Sequence, residues 1–259
     1  MSRRWPDHLW IVRHGQSAGN VARDLADAAG LPVIDIAERD MDVPLSELGE
    51  QQSSALGQWF AAMDEADRPT VVLCSPYSRA MGTVELVRRV GGLASDVNVV
   101  LDERLREREF GVLDRLTHAG IRQRFPDQAE ARTRLGKFYH RPPGGESWCD
   151  VILRLRSVLD SISLHYASRG SRVLIVAHQV VVLCLRYLIE EMTEAEVLAV
   201  DKENDVANCG VTEYTRATAQ HDDSEDNAEL RLVTYNFVAP LEREGTPVTA
   251  SPDVPAAPR

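Results

Sequence analysis

Four groups of charged and imidazole side chains in this sequence have the chemistry to bind and transfer a phosphoryl group. Arg13 and His14 stand together after a short apolar run and are followed by glycine and small polar residues. The other three groups are Arg79, the charged run from Glu103 to Glu109, and His178. A neutral imidazole is a competent nucleophile, and a guanidinium group offers a planar pair of donors to phosphate oxygens. One histidine on a loop is more often an ordinary hydrogen-bonded residue, so the chemistry depends on whether the four groups meet.

The elements that must position these groups are short strands, predicted from apolar runs bounded by polar or turn residues. The runs are Leu9 to Val12, Thr70 to Cys74, Asn98 to Leu101 and Arg172 to Ala177. Apolar residues at helical spacing predict helices over residues 47–63, 78–90, 147–166 and 179–190. This alternation predicts an α/β fold of three layers, with a mostly parallel central sheet between two layers of helices. Because parallel strands end at the same edge of a sheet, we expect the four groups to converge there.

A further helix, a loop and two more strands are predicted in the rest of the chain. A helix is predicted from Leu113 to Gln128, with Pro126 ending it, and a loop rich in proline and glycine from Lys137 to Ser147. Two late strands, Val211 to Thr215 and Leu230 to Tyr235, are predicted to pair as a hairpin at the edge of the sheet.

The length and composition fit one globular domain. The chain has 259 residues, of which 44% are apolar and 27% charged, as in ordinary soluble proteins. Proline, alanine, threonine and serine dominate its last part. We therefore expect one folded domain over residues 1–243 and a disordered tail over residues 244–259.

Charge and cysteine usage exclude several kinds of protein. A formal net charge of −11 argues against non-specific nucleic-acid binding, which needs a basic surface. The four cysteines are far apart and lack the spacing of metal ligands or of a disulfide framework, so we expect no metal site and no cofactor. No N-terminal stretch has the pattern of a signal peptide, and no segment approaches the ~20 apolar residues of a membrane span. A cytoplasmic protein with no membrane partner is expected, and the sequence does not indicate its oligomeric state.

Five motifs together resemble a known family. IVRHGQSAGN is similar to the signature of the histidine phosphatase superfamily, also called the phosphoglycerate mutase-like family. The resemblance extends to PLSELGEQQ, CSPYSRA, LREREFG and VAHQ, which follow in the family's order and cover roughly residues 9–190. It implies a phosphoglycerate mutase-like fold and phosphoryl transfer through a phosphohistidine, without a metal.

The resemblance also implies roles for the catalytic residues. His14 matches the nucleophile that carries the phosphoryl group, and Arg13 and Arg79 match the arginines that hold phosphate oxygens. His178 matches the second histidine of that pocket. Glu107 matches the acid that protonates the leaving alcohol.

A second set of residues is expected to contact the substrate. Ser17 and Asn20 match positions at the phosphate and substrate entrance, and Arg108 and Lys137 are candidate contacts because of their charge. Gln179 follows the second histidine, where cofactor-dependent phosphoglycerate mutases usually carry glycine. A His-Gln pair resembles the domain that acts on fructose 2,6-bisphosphate.

Two positions depart from that bisphosphatase pattern. Leu183 stands where the pattern has an arginine, and Trp148 stands where it has a tyrosine. The loss of an arginine weakens the binding of a doubly phosphorylated ligand, and no kinase P-loop is present. The expected function is therefore hydrolysis of another small phosphorylated metabolite. A phosphoglycerate mutase and a non-catalytic protein that binds a phosphorylated ligand remain as alternatives.

Overall fold

A six-stranded sheet with helices on both faces forms the molecule in the computed structural model, which describes residues 4–93, 97–217 and 229–251. The strands are β1 (His8–Arg13), β2 (Val71–Cys74), β3 (Asn98–Leu101), β4 (Arg172–Ala177), β5 (Val211–Ala217) and β6 (Glu229–Phe237). The helices in these ranges are α1 (Ala18–Ala28), α2 (Glu47–Ala61), α3 (Ser78–Gly91), α4 (His118–Arg124), α5 (Pro126–Tyr139), α6 (Trp148–His165), α7 (Gln179–Ile189), α8 (Glu194–Glu203) and α9 (Ala239–Arg243). None of these helices is long and apolar enough to cross a membrane.

The sheet has the strand order β3-β2-β4-β1-β5-β6. The first four strands in this order are parallel, whereas β5 and β6 run antiparallel as an edge hairpin. This confirms the predicted α/β class, the mostly parallel sheet and the late hairpin. In the register of β1 with β4, Arg13 lies opposite Ala177. The segments that follow these two strands, with His14 and His178, therefore start side by side.

The core holds these strands from both faces. Leu9 and Ile11 of β1 belong to the apolar cluster that includes α6 and α7, whereas Trp10 and Val12 face the cluster that includes α2 and α3. All four side chains are buried. Each fully buried aliphatic side chain contributes roughly 1.5–3 kcal/mol, so the strand ends that carry the polar residues are firmly held.

Local signals in the sequence place the helix ends. Ser46 begins α2 by accepting a hydrogen bond from the N–H of Gly49, as its position in the PLSELG motif predicts. Gly92 ends α3 with φ of 58°, a left-handed conformation that favours glycine. Ser147 and Asp150 form a reciprocal capping box that begins α6.

The predicted helix from Leu113 to Gln128 is wrong in its extent. The chain instead forms α4 and then α5, which begins at Pro126 and continues to Tyr139 across a kink at Gly136, where φ is 79°. Proline suits the first position of a helix because its φ is already helical and its missing N–H needs no partner there. The loop predicted from Lys137 therefore begins three residues later, and α8, with its Thr193–Glu196 capping box, was not predicted.

The predicted disordered tail is also wrong over residues 244–251. Gln52 Nε2 donates to the carbonyl oxygen of Pro247 at 2.9 Å, and Ser251 is only 1% exposed. These residues are ordered by long-range hydrogen bonds to buried donors, which their composition does not reveal. Residues 252–259, the rest of the predicted tail, lie outside the described residues.

Candidate active site

The predicted catalytic residues converge at the edge of the sheet where the parallel strands end. Arg13, His14, Arg79 and Glu107 line one cleft. His178 lies directly behind His14, with 5.1 Å between the ring centroids, and is fully buried. The convergence expected from the strand ends is therefore present.

The loop that follows β1 is fixed against α2. Only glycine fits at residue 15, because an added Cβ would lie 2.4 Å from the carbonyl oxygen of Gly49 and 2.7 Å from Ser53 Oγ. The N–H of Gln16 donates to Gln52 Oε1 at 2.8 Å. The PLSELGEQQ motif thus supports the loop that carries the candidate nucleophile.

The hydrogen bonds of His14 define its tautomer. Its Nδ1 lies 2.6 Å from the carbonyl oxygen of Gly15, which can only accept, so Nδ1 carries the proton. Arg79 Nε donates to Nε2 of the same ring at 3.2 Å. The lone pair of His14 therefore lies on Nε2, on the side of the cleft arginines.

His14 is also held in its neutral form. Burial lowers its pKa well below the usual value, and the nearby charges of Arg79 and Arg13 lower it further. Burial and the charge of Arg79 lower the pKa of His178 in the same way. Both rings are therefore neutral at physiological pH.

His178 is enclosed by the segment after β2. Its Nε2 lies 2.8 Å from Ser75 Oγ, and its ring packs edge-on against Tyr77 at 5.0 Å between centroids. Its Nδ1 is buried and has no hydrogen-bond partner among the described residues. Ser75 and Tyr77 belong to the CSPYSRA motif, but sequence reasoning assigned a role only to the arginine there.

Arg13 is anchored by acceptors from three distant parts of the chain. Its Nη1 donates to Gln179 Oε1 at 2.9 Å and to the carbonyl oxygens of Val206 at 2.5 Å and Ser251 at 3.2 Å. Its Nε is buried without a partner among the described residues. Burial lowers the pKa of Arg13 to about 10, so the guanidinium stays charged at neutral pH. Gln179, predicted to bind substrate, lines the cleft and orients this arginine.

The guanidinium group of Arg79 contacts two other side chains of the site. Besides its bond to His14, it faces the carboxylate of Asp40, with Nη1 3.1 Å from Oδ1 and Nη2 3.3 Å from Oδ2. Its Nη1 also donates to the carbonyl oxygen of Asp40 at 2.5 Å. A phosphate group that uses these donors has to displace a carboxylate.

Ser17 and Asn20 lie where the resemblance implies, at the N-terminus of α1. Both line the cleft, and together they form the capping box that begins this helix. A helix N-terminus favours an anion because its N–H groups and its dipole face the ligand. The cap therefore fixes this helix end in the cleft that Arg13 and Arg79 also line.

Glu107 lies in the cleft beside the arginines. Its Oε1 accepts from the N–H of Arg108 at 2.9 Å, and its charge raises the pKa of Arg13. A carboxyl group therefore lines the same cleft as the guanidinium groups of Arg13 and Arg79.

Arg108 and Lys137, the other predicted contacts, do not line this cleft. Arg108 is buried and donates through Nε to the carbonyl oxygen of Glu146 at 2.7 Å. Lys137 Nζ lies 2.7 Å from both carboxylate oxygens of Asp201. Glu146 and Asp201 are 38 and 64 residues away in the sequence, so the charges of Arg108 and Lys137 alone could not predict these contacts.

The outer part of the cleft was not predicted at all. Its remaining lining combines apolar side chains with charged ones, namely Gly19, Arg23, Ile34, Ile36, Glu38, Asp40, Val43, Phe110, Asp114 and Arg115. Most of these residues come from the irregular segment between α1 and α2 and from the turn after LREREFG, which carry no periodic signal. No group of three or more His, Cys, Asp or Glu side chains in the described ranges is arranged to hold a metal ion.

Sequence comparisons identify relatives over most of the chain. The model of the histidine phosphatase superfamily (branch 1) matches residues 9–222. The 6-phosphofructo-2-kinase/fructose-2,6-bisphosphatase of Caenorhabditis elegans is 32% identical over 181 residues, which is 70% of this chain and 33% of that protein. The 2,3-bisphosphoglycerate-dependent phosphoglycerate mutase of Methylobacterium radiotolerans is 32% identical over 73% of this chain and 82% of that protein. The chain thus spans a third of the first relative and most of the second.

Solved structures have the same fold. A mycobacterial glucosyl-3-phosphoglycerate phosphatase in complex with VO3 is 26% identical, with a TM-score of 0.67 over 89% of this chain and 99% of that chain. YhfR of Bacillus stearothermophilus is 26% identical, with a TM-score of 0.68 over 90% of this chain and 98% of that chain. With the family model matched from Leu9 to beyond β5, this chain belongs to the histidine phosphatase superfamily, branch 1.

Proposed function

We propose that this chain is a metal-independent phosphatase that hydrolyses a small phosphorylated metabolite through a phosphohistidine on His14. The observation that carries the proposal is the state of this side chain: a neutral ring whose lone pair lies on Nε2 and accepts a hydrogen bond from Arg79 Nε at 3.2 Å. A buried neutral imidazole between two guanidinium groups is suited to attack phosphorus and unsuited to most structural roles.

Phosphate binding is the first step. The oxygens of the substrate take the guanidinium donors of Arg13 and Arg79, and the N-terminus of α1 adds N–H groups beside them. The charge of a transferring phosphoryl group is spread over its oxygens, so donors fixed in advance stabilise the transition state. The neutral ring of His178 closes the site behind His14.

Transfer to His14 follows. Glu107 enters this step in its protonated form. Nε2 forms a bond to phosphorus while the bond from phosphorus to the ester oxygen breaks, and the leaving oxygen takes the proton of Glu107. The ring becomes positively charged, and the carbonyl oxygen of Gly15 stabilises it by accepting from Nδ1–H. General acid catalysis of this kind contributes on the order of 10²–10⁴ in rate.

Hydrolysis completes the cycle. A water molecule attacks phosphorus as the bond to Nε2 breaks, and the carboxylate of Glu107 accepts the proton of that water. Inorganic phosphate leaves, and both His14 and Glu107 return to their starting forms.

A phosphoglycerate mutase is the second candidate, favoured by the 32% identity to the mutase of M. radiotolerans. The relatives' names give several phosphate esters, so they do not fix the substrate of this chain. Assays with phosphoglycerate and a bisphosphorylated primer distinguish the two activities, because a mutase conserves the phosphate ester and a phosphatase releases inorganic phosphate.

We further propose a cytoplasmic location with no nucleic-acid partner. The net charge of −11 supports the second point, because it opposes the binding of polyanions. Fractionation of the source cells and a filter-binding assay with duplex DNA test these two proposals.

The direct test of the main proposal is phosphate release from 4-nitrophenyl phosphate. We expect steady turnover that is unchanged by EDTA, abolished in His14→Ala and retained in the matched control His165→Ala, whose ring is exposed at the end of α6. Appreciable activity in His14→Ala contradicts the proposed nucleophile.

A further inference from the structure

Beyond the phosphate pocket, the cleft has a second region with its own chemistry. This outer wall consists of Ile34, Ile36, Val43 and Phe110 together with the carboxylates of Glu38, Asp40 and Asp114. We propose that the outer wall binds leaving groups that have an apolar body and no anionic charge. The substrates are then phosphate monoesters of uncharged or cationic alcohols. This inference rests on the proposed phosphatase function and adds the class of substrate.

The phosphate end of the substrate is fixed by geometry. His14 Nε2 faces the cleft side of the arginines, and the buried Nε of Arg13 has no partner among the described residues. A phosphoryl group therefore binds at the inner end of the cleft. The rest of the substrate has to lie along the outer wall.

Asp40 brings negative charge to the boundary between these two regions. Its carboxylate faces both terminal nitrogens of Arg79, at 3.1 and 3.3 Å, where phosphate oxygens are expected to bind. The side chain of Asp40 is 44% exposed, so it can turn outward when phosphate replaces it. After that exchange, its charge faces the leaving group.

Asp114 adds a second carboxyl group on the same wall. Asp114 and Asp40 line the same cleft; burial raises the pKa of Asp114, and the negative charge of Asp40 raises it further. A carboxylate or second phosphate in the leaving group is repelled by this pair, whereas an ammonium group or a hydroxyl group finds acceptors.

Two arginines, Arg23 and Arg115, line the cleft together with these carboxylates. Arg115 donates to the carbonyl oxygens of Ile36 at 3.1 Å and Glu38 at 2.6 Å, so it holds the wall in shape. Burial raises the pKa values of Asp24 and Asp114, and the charge of Arg23 opposes this rise at both carboxyl groups. The positive charge in the outer part of the cleft is therefore opposed by carboxylates.

The apolar part of the wall favours leaving groups with carbon surface. Ile36 and Phe110 are half-buried and keep carbon surface exposed in the cleft, whereas Ile34 and Val43 are only 6% and 3% exposed. Burial of apolar surface stabilises a bound ligand in proportion to the area removed from water.

Three aryl phosphates test the inference in the wild-type protein. The kcat/KM values for phenyl phosphate and 4-(aminomethyl)phenyl phosphate are expected to exceed that for 4-carboxyphenyl phosphate by ~10-fold or more, since like charges juxtaposed in a binding site oppose binding strongly. Equal or better turnover of the carboxylated ester overturns the inference while leaving the phosphatase function intact.

Two variants test whether the carboxylates of the outer wall cause this difference in kcat/KM between the esters. Asp40→Asn and Asp114→Asn are expected to raise kcat/KM for the carboxylated ester relative to phenyl phosphate. The matched control Asp42→Asn changes a carboxylate of the same turn that pairs at the surface with Arg39, and it is expected to keep the wild-type ratio. An unchanged ratio in both wall variants overturns the assignment.

A binding measurement separates this inference from the proposed function. If no ester is hydrolysed, the phosphatase function fails, and calorimetry with phenylphosphonate and 4-carboxyphenylphosphonate still tests the wall. Weaker binding of the carboxylated phosphonate to the wild-type protein supports the inference. Equal or tighter binding overturns it.

Discussion

At the scale of single residues, the site depends on two neutral histidines among permanent positive charges. Burial and the guanidinium groups of Arg13 and Arg79 oppose protonation of His14, and the carbonyl oxygen of Gly15 selects the tautomer with its lone pair on Nε2. A lysine at position 79 would keep the charge but lose the geometry, since one guanidinium contacts both the nucleophile and the carboxylate of Asp40.

The substitution Arg79→Lys is therefore expected to lower kcat/KM for 4-nitrophenyl phosphate by roughly 10²-fold, in the range seen for loss of a preorganised donor. Steady-state kinetics measure this loss. The control Arg39→Lys changes an exposed arginine that pairs with Asp42, and wild-type rates are expected there. A mild effect at Arg79 would contradict its role in holding the transferring group.

Buried histidines also make stability depend on pH. Burial lowers the pKa of His140 to about 4, and those of His14 and His178 lie well below the usual value of ~6.5. Below pH ~6.5 the unfolded chain therefore binds protons that the folded chain does not. The free energy of unfolding is expected to fall with falling pH, by up to about 1.4 kcal/mol per pH unit for each histidine.

Urea denaturation between pH 7.5 and 5 measures this slope. His140→Gln lies outside the cleft and is expected to reduce the slope, whereas His165→Gln changes an exposed ring and is expected to leave it unchanged. A stability that does not fall between pH 6.5 and 5 would contradict the buried neutral histidines.

At the scale of elements, strand ends deliver the catalytic groups and helix starts hold them. Arg13 ends β1, and Gln179 is the first residue of α7, two residues after the end of β4. The hydrogen bond from Arg13 Nη1 to Gln179 Oε1 therefore joins two neighbouring parallel strands across the site. This bond orients Arg13 without taking part in the chemistry.

Gln179→Ala removes that acceptor and is expected to raise KM by roughly 10-fold with a smaller change in kcat, because the phosphate arginine loses its orientation. Gln179→Glu keeps an acceptor oxygen at the same place and is expected to restore most of the affinity. Equal defects in both variants would argue against a positioning role and for a general loss of structure, which the melting temperature distinguishes.

The strands and the edge of the sheet could be predicted from the sequence, but the outer wall could not. Apolar runs such as Arg172 to Ala177 predict β4, and polar residues after such runs predict the edge where the site lies. The outer wall escaped prediction because Asp40 and Asp114 lie in segments without periodicity. Folding brings Asp40 to Arg79 and places both carboxyl groups in the lining of the cleft. Pro126 was misread because proline both starts and interrupts helices.

At the scale of the whole molecule, the C-terminal segment helps to hold the site. The carbonyl oxygen of Ser251 accepts from Arg13, that of Thr249 accepts from the N–H of Asn208, and Asn208 Nδ2 donates to the carbonyl oxygen of His14. Residues 246–251 thus contact Arg13 directly and His14 through Asn208.

A chain that ends at residue 245 is therefore expected to lose at least ~10-fold in kcat/KM and to melt at a lower temperature, because Arg13 and Asn208 lose buried partners. The matched control ends at residue 251 and keeps every contact named here, so it is expected to behave as the full chain does. Full activity in the shorter chain would show that the segment is dispensable to the site.

If the phosphoryl group passes through His14, the phosphohistidine can be trapped during turnover. The enzyme is mixed with 4-nitrophenyl phosphate labelled with ³²P, quenched in alkali during turnover and mapped by peptide. We predict label on the peptide that contains His14, stable to alkali and lost in acid, and absent in His14→Ala. Turnover with no label on this peptide, or with label on another residue, would contradict the mechanism.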